Sequence, residues 1–366
     1  MSAPRHVFMT ADAIGGVFTY ARDLAAGLAR RGVGVTLAAI GPQPSAAQVR
    51  DLRALPGVRL VQADCPLDWL DASQEDLDRG GRELARLARE AGADLIHLNS
   101  PAFGMAHFDA PVVGACHSCL LSWWEAVRGG PAPDAFQDAG ARLRSGYAAC
   151  DVLVAPTRAF AAATERLYGV RPRAVPNGRA RPKGASEGLK EPFVLTSGRL
   201  WDDAKNIAAL DDAAGLMRAR VEAAGSLDGP AGERAELRAA HALGRLETAA
   251  MTELFDRAAV YASLALYEPF GLGVLEAAQF GCALVLSDIP THRELWDGAA
   301  IFVDAGDAAY AARTLDGLLG DPYERGRYAA LASARSRSYS ADAMVERTLT
   351  VYRDILGGPA LHGAAA

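Results

Sequence analysis

The sequence predicts an α/β protein made of two doubly wound halves that face each other across a cleft. Three observations lead there. Short apolar runs alternate with longer amphipathic stretches, the pattern of parallel strands joined by crossover helices. The pattern stops between Arg179 and Lys190, where glycine, proline, lysine, arginine and serine replace apolar periodicity, and then starts again. The chain, at 366 residues, is long enough to give each half its own core.

The first half opens on the apolar run His6 to Met9, which leads through Thr10-Ala11-Asp12-Ala13-Ile14 to Gly15-Gly16. A helix follows from about Val17 to Arg31, with Val17, Tyr20, Leu24 and Leu28 on one face. Gly32 and Gly34 end it, and Val35 to Ile40 is the next strand. The glycine pair allows a phosphate or substrate to approach the helix N-terminus. It lacks the full G-x-G-x-x-G pattern, so a nicotinamide cofactor is not supported. Val58 to Gln62 is a short strand, Gln74 to Ala91 a helix, and Asp94 to Leu98 a strand with His97 near its end. Asp76 and Asp78 lie two apart on that helix and point different ways, as solvated charges do.

Pro111 to Ala115 is a strand that runs into Cys116-His117-Ser118-Cys119. A histidine at the carboxyl end of a parallel strand sits where open α/β sheets bind ligands, although a satisfied core histidine fits the same place. The Cys-x-x-Cys pair has no second ligand pair at metal spacing, so small-residue packing is the expected role. Trp123 and Trp124 either stack on an acceptor sugar or fill an interior. Gly129 to Pro133 is a surface loop. Helices Ala135–Cys150 and Arg158–Tyr168 flank the strand Val152 to Ala155, and a last short strand, Ala174 to Pro176, reaches Asn177-Gly178.

In the second half Phe193 to Thr196 is a strand, followed by Ser197-Gly198-Arg199 and a helix starting near Lys205-Asn206. Arg220 to Ala224 runs into the turn from Gly225 to Pro230, and Glu247 to Ala258 is a helix. The apolar run Ala258 to Leu266 then meets Tyr267-Glu268-Pro269-Phe270-Gly271-Leu272-Gly273-Val274-Leu275-Glu276. Pro269 keeps Glu268 out of the helical region, so that acid sits on the loop. Gly271 and Gly273 permit close approach, and the helix beginning near Gly273 turns its N–H groups and positive dipole end toward the loop. Two acids at a helix N-terminus suit a sugar nucleotide, and they equally suit a capped turn. Cys282 to Ser287, Ala300 to Val303, and helices near Ala308–Leu319, Tyr323–Ala334 and Ala341–Leu356 complete the half, before a Gly/Ala-rich tail over 359–366. Loops at the carboxyl ends of parallel strands converge, which gathers Arg199, Lys205, Glu268 and Glu276. The two cations suit a diphosphate, and the acids suit hydroxyl pairs.

Composition narrows the partners. A net charge of −6 gives no electrostatic case for nucleic acid. No apolar run is long enough to span a membrane, which is compatible with peripheral contact at most. Five scattered cysteines and no signal-peptide pattern place the protein in the cytoplasm by expectation.

At these motifs the chain resembles a family 4 glycosyltransferase of the GT-B fold, two Rossmann-like domains across a cleft. Gly15-Gly16 with Tyr20, Asp94-Leu-Ile-His97, Cys116-His117-Ser118, Pro176-Asn177-Gly178, Gly198-Arg199-Leu200 with Lys205-Asn206, and Glu268 spaced from Glu276 by seven residues carry the resemblance. It implies a retaining, metal-independent hexosyltransferase of polysaccharide biosynthesis. The co-substrate would be a UDP- or GDP-sugar, with no other cofactor, and the acceptor a carbohydrate or lipid-linked molecule. Arg199 and Lys205 would neutralise the leaving diphosphate. Glu268 and the N–H groups of Phe270, Gly271, Leu272 and Gly273 would hold the sugar, and Glu276 the ribose. His117 would contact the sugar near the reacting centre, while Gly15, Gly16 and Asn177 would complete the donor site. The resemblance sets the domains at 1–178 and 191–340, with the linker 179–190 between them and a final helix over 341–358 that returns to the first domain. Asp202 and Asp203 depart from the family pattern and would repel a diphosphate, so they are expected to face outward. The segment between Asp228 and Leu246 gives no nucleobase signal. A GT-B epimerase, a phosphorylase and a non-catalytic sugar-nucleotide sensor are the alternative readings.

Overall fold

The structure is a computed structural model and describes residues 3–70, 72–181, 190–230 and 232–357. Most of the expected linker and the whole 359–366 tail lie outside the described residues. Two compact units form. One holds the chain up to Gly178, apart from Ala126–Arg128, together with the helix Ala341–Gly357; the other holds those three residues and Arg179–Ser340.

The first unit has seven strands: β1 (His6–Asp12), β2 (Gly34–Ile40), β3 (Val58–Gln62), β4 (Leu95–Leu98), β5 (Val112–Ala115), β6 (Val152–Ala155) and β7 (Arg173–Ala174). They lie parallel in the order β3-β2-β1-β4-β5-β6-β7. Strand order therefore reverses between β1 and β4, and the loops after them open at that switch point. The helix Gly16–Ala29 buries Phe18, Tyr20, Ala21, Leu24, Ala25 and Leu28 against one face. Val17, expected on that face, is half-buried, and Phe18 takes the inner place. The helix Ala341–Gly357 adds Met344, Val345, Leu349, Val351 and Tyr352 to the same core. Gly27 lets the two helices meet, because a Cβ there would stand 2.3 Å from Val345 Cγ2.

The second unit has six parallel strands: β8 (Glu191–Ser197), β9 (Val221–Ala224), β10 (His241–Gly244), β11 (Ala258–Ser263), β12 (Ala283–Ser287) and β13 (Ile301–Val303). Their order is β10-β9-β8-β11-β12-β13, with the reversal between β8 and β11. From Ala258 to Ala262 every residue of β11 is buried, as a parallel strand covered on both faces requires.

Several elements escape the apolar pattern. The helix Ala46–Arg53 carries a capping box between Ser45 and Gln48 but buries only Leu52. Strand β10 is an edge strand with His241 and Ala242 exposed, so its sequence carries no buried run. The helices Leu120–Val127 and Pro290–Trp296 and the 3₁₀ turn Pro101–Met105 are too short for a clear period.

Candidate active site

The second unit brings the expected donor residues together at its switch point. After β8 the chain turns through Gly198 and Arg199 into a 3₁₀ turn, Asp203–Lys205, before the helix Ile207–Leu216. Asn206 separates them in a left-handed conformation, φ 51°, and is the one non-glycine with positive φ among the described residues. Asparagine tolerates that geometry better than most side chains. Its amide donates to Leu264 O at 3.0 Å and Ala305 O at 2.9 Å, which ties the loop after β8 to those after β11 and β13. Leu266 N donates to Ala204 O at 2.9 Å and reinforces the join. These bonds set Lys205 against Glu268.

Lys205 Nζ lies 2.5 Å from Glu268 Oε2, with side-chain exposures of 22% and 16%. Burial pushes the Glu268 carboxyl up, but the Lys205 charge and hydrogen bond outweigh it and hold it below the usual glutamate range. Glu268 is therefore an ionised carboxylate. Arg199 donates to Asp202 Oδ2 at 2.8 Å, and its guanidinium lies 5.5 Å from the Trp201 ring centre. This corrects the expectation for Asp202. It is only 5% exposed, pairs with Arg199 and caps the 3₁₀ turn through Ala204 N, so it orients the arginine from within. Asp203 is exposed, as expected.

The helix after Glu268 starts one residue earlier than expected, spanning Leu272–Gln279 with Gly271 as its N-cap at φ 86°. Only glycine adopts that backbone readily. Gly273 is required for a different reason than ligand approach. A Cβ there would meet Tyr261 Oη at 2.7 Å and Ser197 Oγ at 3.0 Å, so its smallness lets the helix start close to the ends of β8 and β11. Glu276 follows on the same helix and forms a close ion pair with Arg179, both side chains being about a fifth exposed. The Arg179 backbone is fixed at both ends: its N–H donates to Tyr339 O at 3.1 Å, and its carbonyl accepts from Gln279 Nε2 at 3.1 Å. Sequence reasoning placed Arg179 at the head of a linker and missed it. The available signal was a cation directly after Pro-Asn-Gly.

The first unit holds the remaining expected residues, of which one cavity gathers His117 and Asn177. Gly15, at φ 85°, caps the helix Gly16–Ala29, and both glycines are exposed there. His117, after β5, and Asn177, after β7, line one small cavity with Tyr20 and Pro156. The edge of Tyr20 meets the His117 ring at a centroid distance of 4.6 Å. His117 Nε2 lies 2.8 Å from Asn99 Oδ1, and burial lowers its pKa to about 4, so the ring is neutral at pH 7. Trp123 and Trp124 sit half-buried on the helix Leu120–Val127, and Trp124 packs edge-on against Phe136 at 5.0 Å. Cys116 and Cys119 are buried thiols, and burial raises both away from the reactive thiolate. Among the described residues no group of three or more His, Cys, Asp and Glu side chains gathers as a metal site.

Comparison with known proteins agrees with this layout. The Glycosyltransferase Family 4 model matches residues 14–179, and the model for glycosyl transferases group 1 matches residues 191–321. A D-inositol 3-phosphate glycosyltransferase of Xylanimonas cellulosilytica is 29% identical over 94% of this chain and 92% of its own length. Among solved structures, sucrose-phosphate synthase from Thermosynechococcus elongatus superposes with a TM-score of 0.77 at 16% identity, covering 96% of this chain and 99% of that one. Anabaena HepE, solved in complex with UDP-glucose, does so with a TM-score of 0.72 at 17% identity, covering 95% and 99%. The protein is thus a glycosyltransferase of GT-B architecture. It belongs to glycosyltransferase family 4.

Proposed function

We propose that the enzyme moves a hexosyl unit from a UDP- or GDP-sugar to a carbohydrate or lipid-linked acceptor, with retention of anomeric configuration. The observation that carries the reading is the ionised Glu268–Lys205 pair beside Arg199 at the β8–β11 switch point. Arg199 and Lys205 receive the diphosphate, and their charge stabilises it as the bond from the anomeric carbon to its oxygen breaks. Backbone N–H groups from Phe270 to Gly273 add donors at the helix start. Glu268 accepts from sugar hydroxyls while Lys205 holds it, a positioning role and not that of a nucleophile. Glu276, braced by Arg179, accepts from the ribose diol. In the first unit His117 reads the sugar, with Gly15, Gly16 and Asn177 completing the donor contacts. The electron pair of the breaking bond stays with the diphosphate. The acceptor oxygen bonds to the same face of the sugar, and its proton passes to the departing phosphate oxygen. Two side-chain cations do the neutralising, so turnover is expected to persist in excess chelator. The HepE complex puts uridine first among bases to try.

The test is a thermal-shift panel of UDP-, GDP- and ADP-sugars, followed by anomer analysis of the product. The wild-type protein should gain about 2.7 kcal/mol of apparent stability at a hundred times the dissociation constant. Glu276→Ala and Arg199→Ala should fold and lose that gain. If both retain it, the donor-site assignment is wrong, and an inverted product would overturn retention.

A further inference from the structure

The first unit contains a chain of polar contacts whose chemistry admits one arrangement of protons. Asn99 follows β4 and is 7% exposed. Its amide nitrogen lies 2.5 Å from Thr10 O, and its backbone N–H donates to Thr10 Oγ1 at 2.9 Å. A backbone carbonyl only accepts, so the NH₂ end of the Asn99 amide must face Thr10. The carbonyl end, Oδ1, then faces His117 Nε2 at 2.8 Å. That oxygen also only accepts, so Nε2 must carry the proton. Because the ring is neutral at pH 7, Nδ1 is left as a bare lone pair. No described residue donates to it. The titratable groups packed nearest bring no charge: Tyr20 has its ionisation pushed up by burial, and His97 is held at about 3, chiefly by burial.

We infer that Asn99 is a positioning residue that locks His117 as the Nε2–H tautomer, so that Nδ1 serves as a fixed hydrogen-bond acceptor for a hydroxyl of the donor sugar. The assignment rests on the reading of His117 as a sugar contact. Its consequence is specific. A sugar that offers a hydroxyl at this position is matched, whereas one lacking the donor leaves the lone pair unmet.

Nitrogen-15 NMR of the histidine rings in the full-length protein tests the lock at pH 7. The expected wild-type spectrum shows His117 with a protonated, slowly exchanging Nε2 and an unprotonated Nδ1. A protonated Nδ1, or an imidazolium, overturns the inference. This arm needs no variant and so does not depend on any substitution folding. In the second arm Asn99→Ala should speed exchange of the Nε2 proton. It should also lower kcat about tenfold, the scale of one lost hydrogen bond, with KM for the nucleotide sugar within about twofold. Asn99→Asp keeps an acceptor at Nε2 and should restore the slowly exchanging proton. His117→Ala separates the two claims. If it removes activity while Asn99→Ala leaves kcat unchanged, the positioning role fails. If His117→Ala itself leaves kcat unchanged, the reading of His117 as a sugar contact fails, and the acceptor role with it.

Discussion

At the scale of the residue, the site is governed by charges held together before any ligand arrives. Glu268 is shielded from solvent and stays ionised because Lys205 is 2.5 Å away; Arg199 is aimed by Asp202, and Arg179 reaches Glu276. Removing one member of such a pair exposes what the other costs in isolation. Lys205→Met should destabilise the second unit by about 3 kcal/mol, since it strands a carboxylate in a poorly solvated place. The double variant Lys205→Met with Glu268→Gln should recover about half of that loss. Chemical denaturation of the four proteins of the cycle measures the coupling. Strictly additive losses would mean that the pair is solvated well enough to be energetically idle. Under the proposed function, a donor that met these acids would have to rearrange both pairs without stranding either carboxylate.

At the scale of the element, single side chains fasten loops that have no regular structure of their own. Asp211, on the helix Ile207–Leu216, accepts backbone N–H groups from Arg238, Ala239 and Ala240 at 2.8, 3.0 and 2.8 Å. Burial pushes its carboxyl up, yet the three N–H donors dominate and hold it below the usual aspartate range. Asp211→Ala should cost about 2–3 kcal/mol by leaving those donors unmet, and should loosen the segment before β10. Hydrogen exchange at residues 238–240 reports the loosening, and unchanged protection there would refute the anchor. The segment also shows where sequence reading stops. Strands such as β8 and β11 were legible because both faces are buried and their apolar runs are continuous. The clustering of Arg199, Lys205 and Glu268 was legible because they sit at fixed spacings beside those strands. Arg179 was not, since its partner Glu276 lies 97 positions away and nothing local marks the pairing. Asp202 was misjudged for a related reason: its charge argued for an outward position, and only tertiary structure supplies Arg199 and the turn that keep it inside. Edge strand β10 and the helix Ala46–Arg53 gave too little burial to leave a pattern.

At the scale of the whole molecule, buried neutral histidines set the response to acid. Burial holds His97 at about 3, with a lesser contribution from His117, and holds His117 and His292 at about 4. In the unfolded chain each titrates near 6.5. As pH falls from about 6.5 toward 4 the unfolded state takes up protons that the folded state refuses, so stability falls through that window. Thermal unfolding at pH 7, 5.5 and 4.5 should show a progressive drop in midpoint for both units, because His97 and His117 lie in the first and His292 in the second. A flat midpoint across the window would contradict it. The first unit has a further property that follows from its composition. Its hydrophobic core takes in Met344, Val345, Leu349, Val351 and Tyr352, and Tyr352 Oη reaches His97 Nδ1 at 2.8 Å. Domains generally fold as units while the chain emerges from the ribosome, the N-terminal one first. Here the first unit must wait for the helix Ala341–Gly357, which is translated after the whole of the second. A nascent chain released before residue 341 would carry a finished second unit and an open groove in the first, ready for chaperones or proteases.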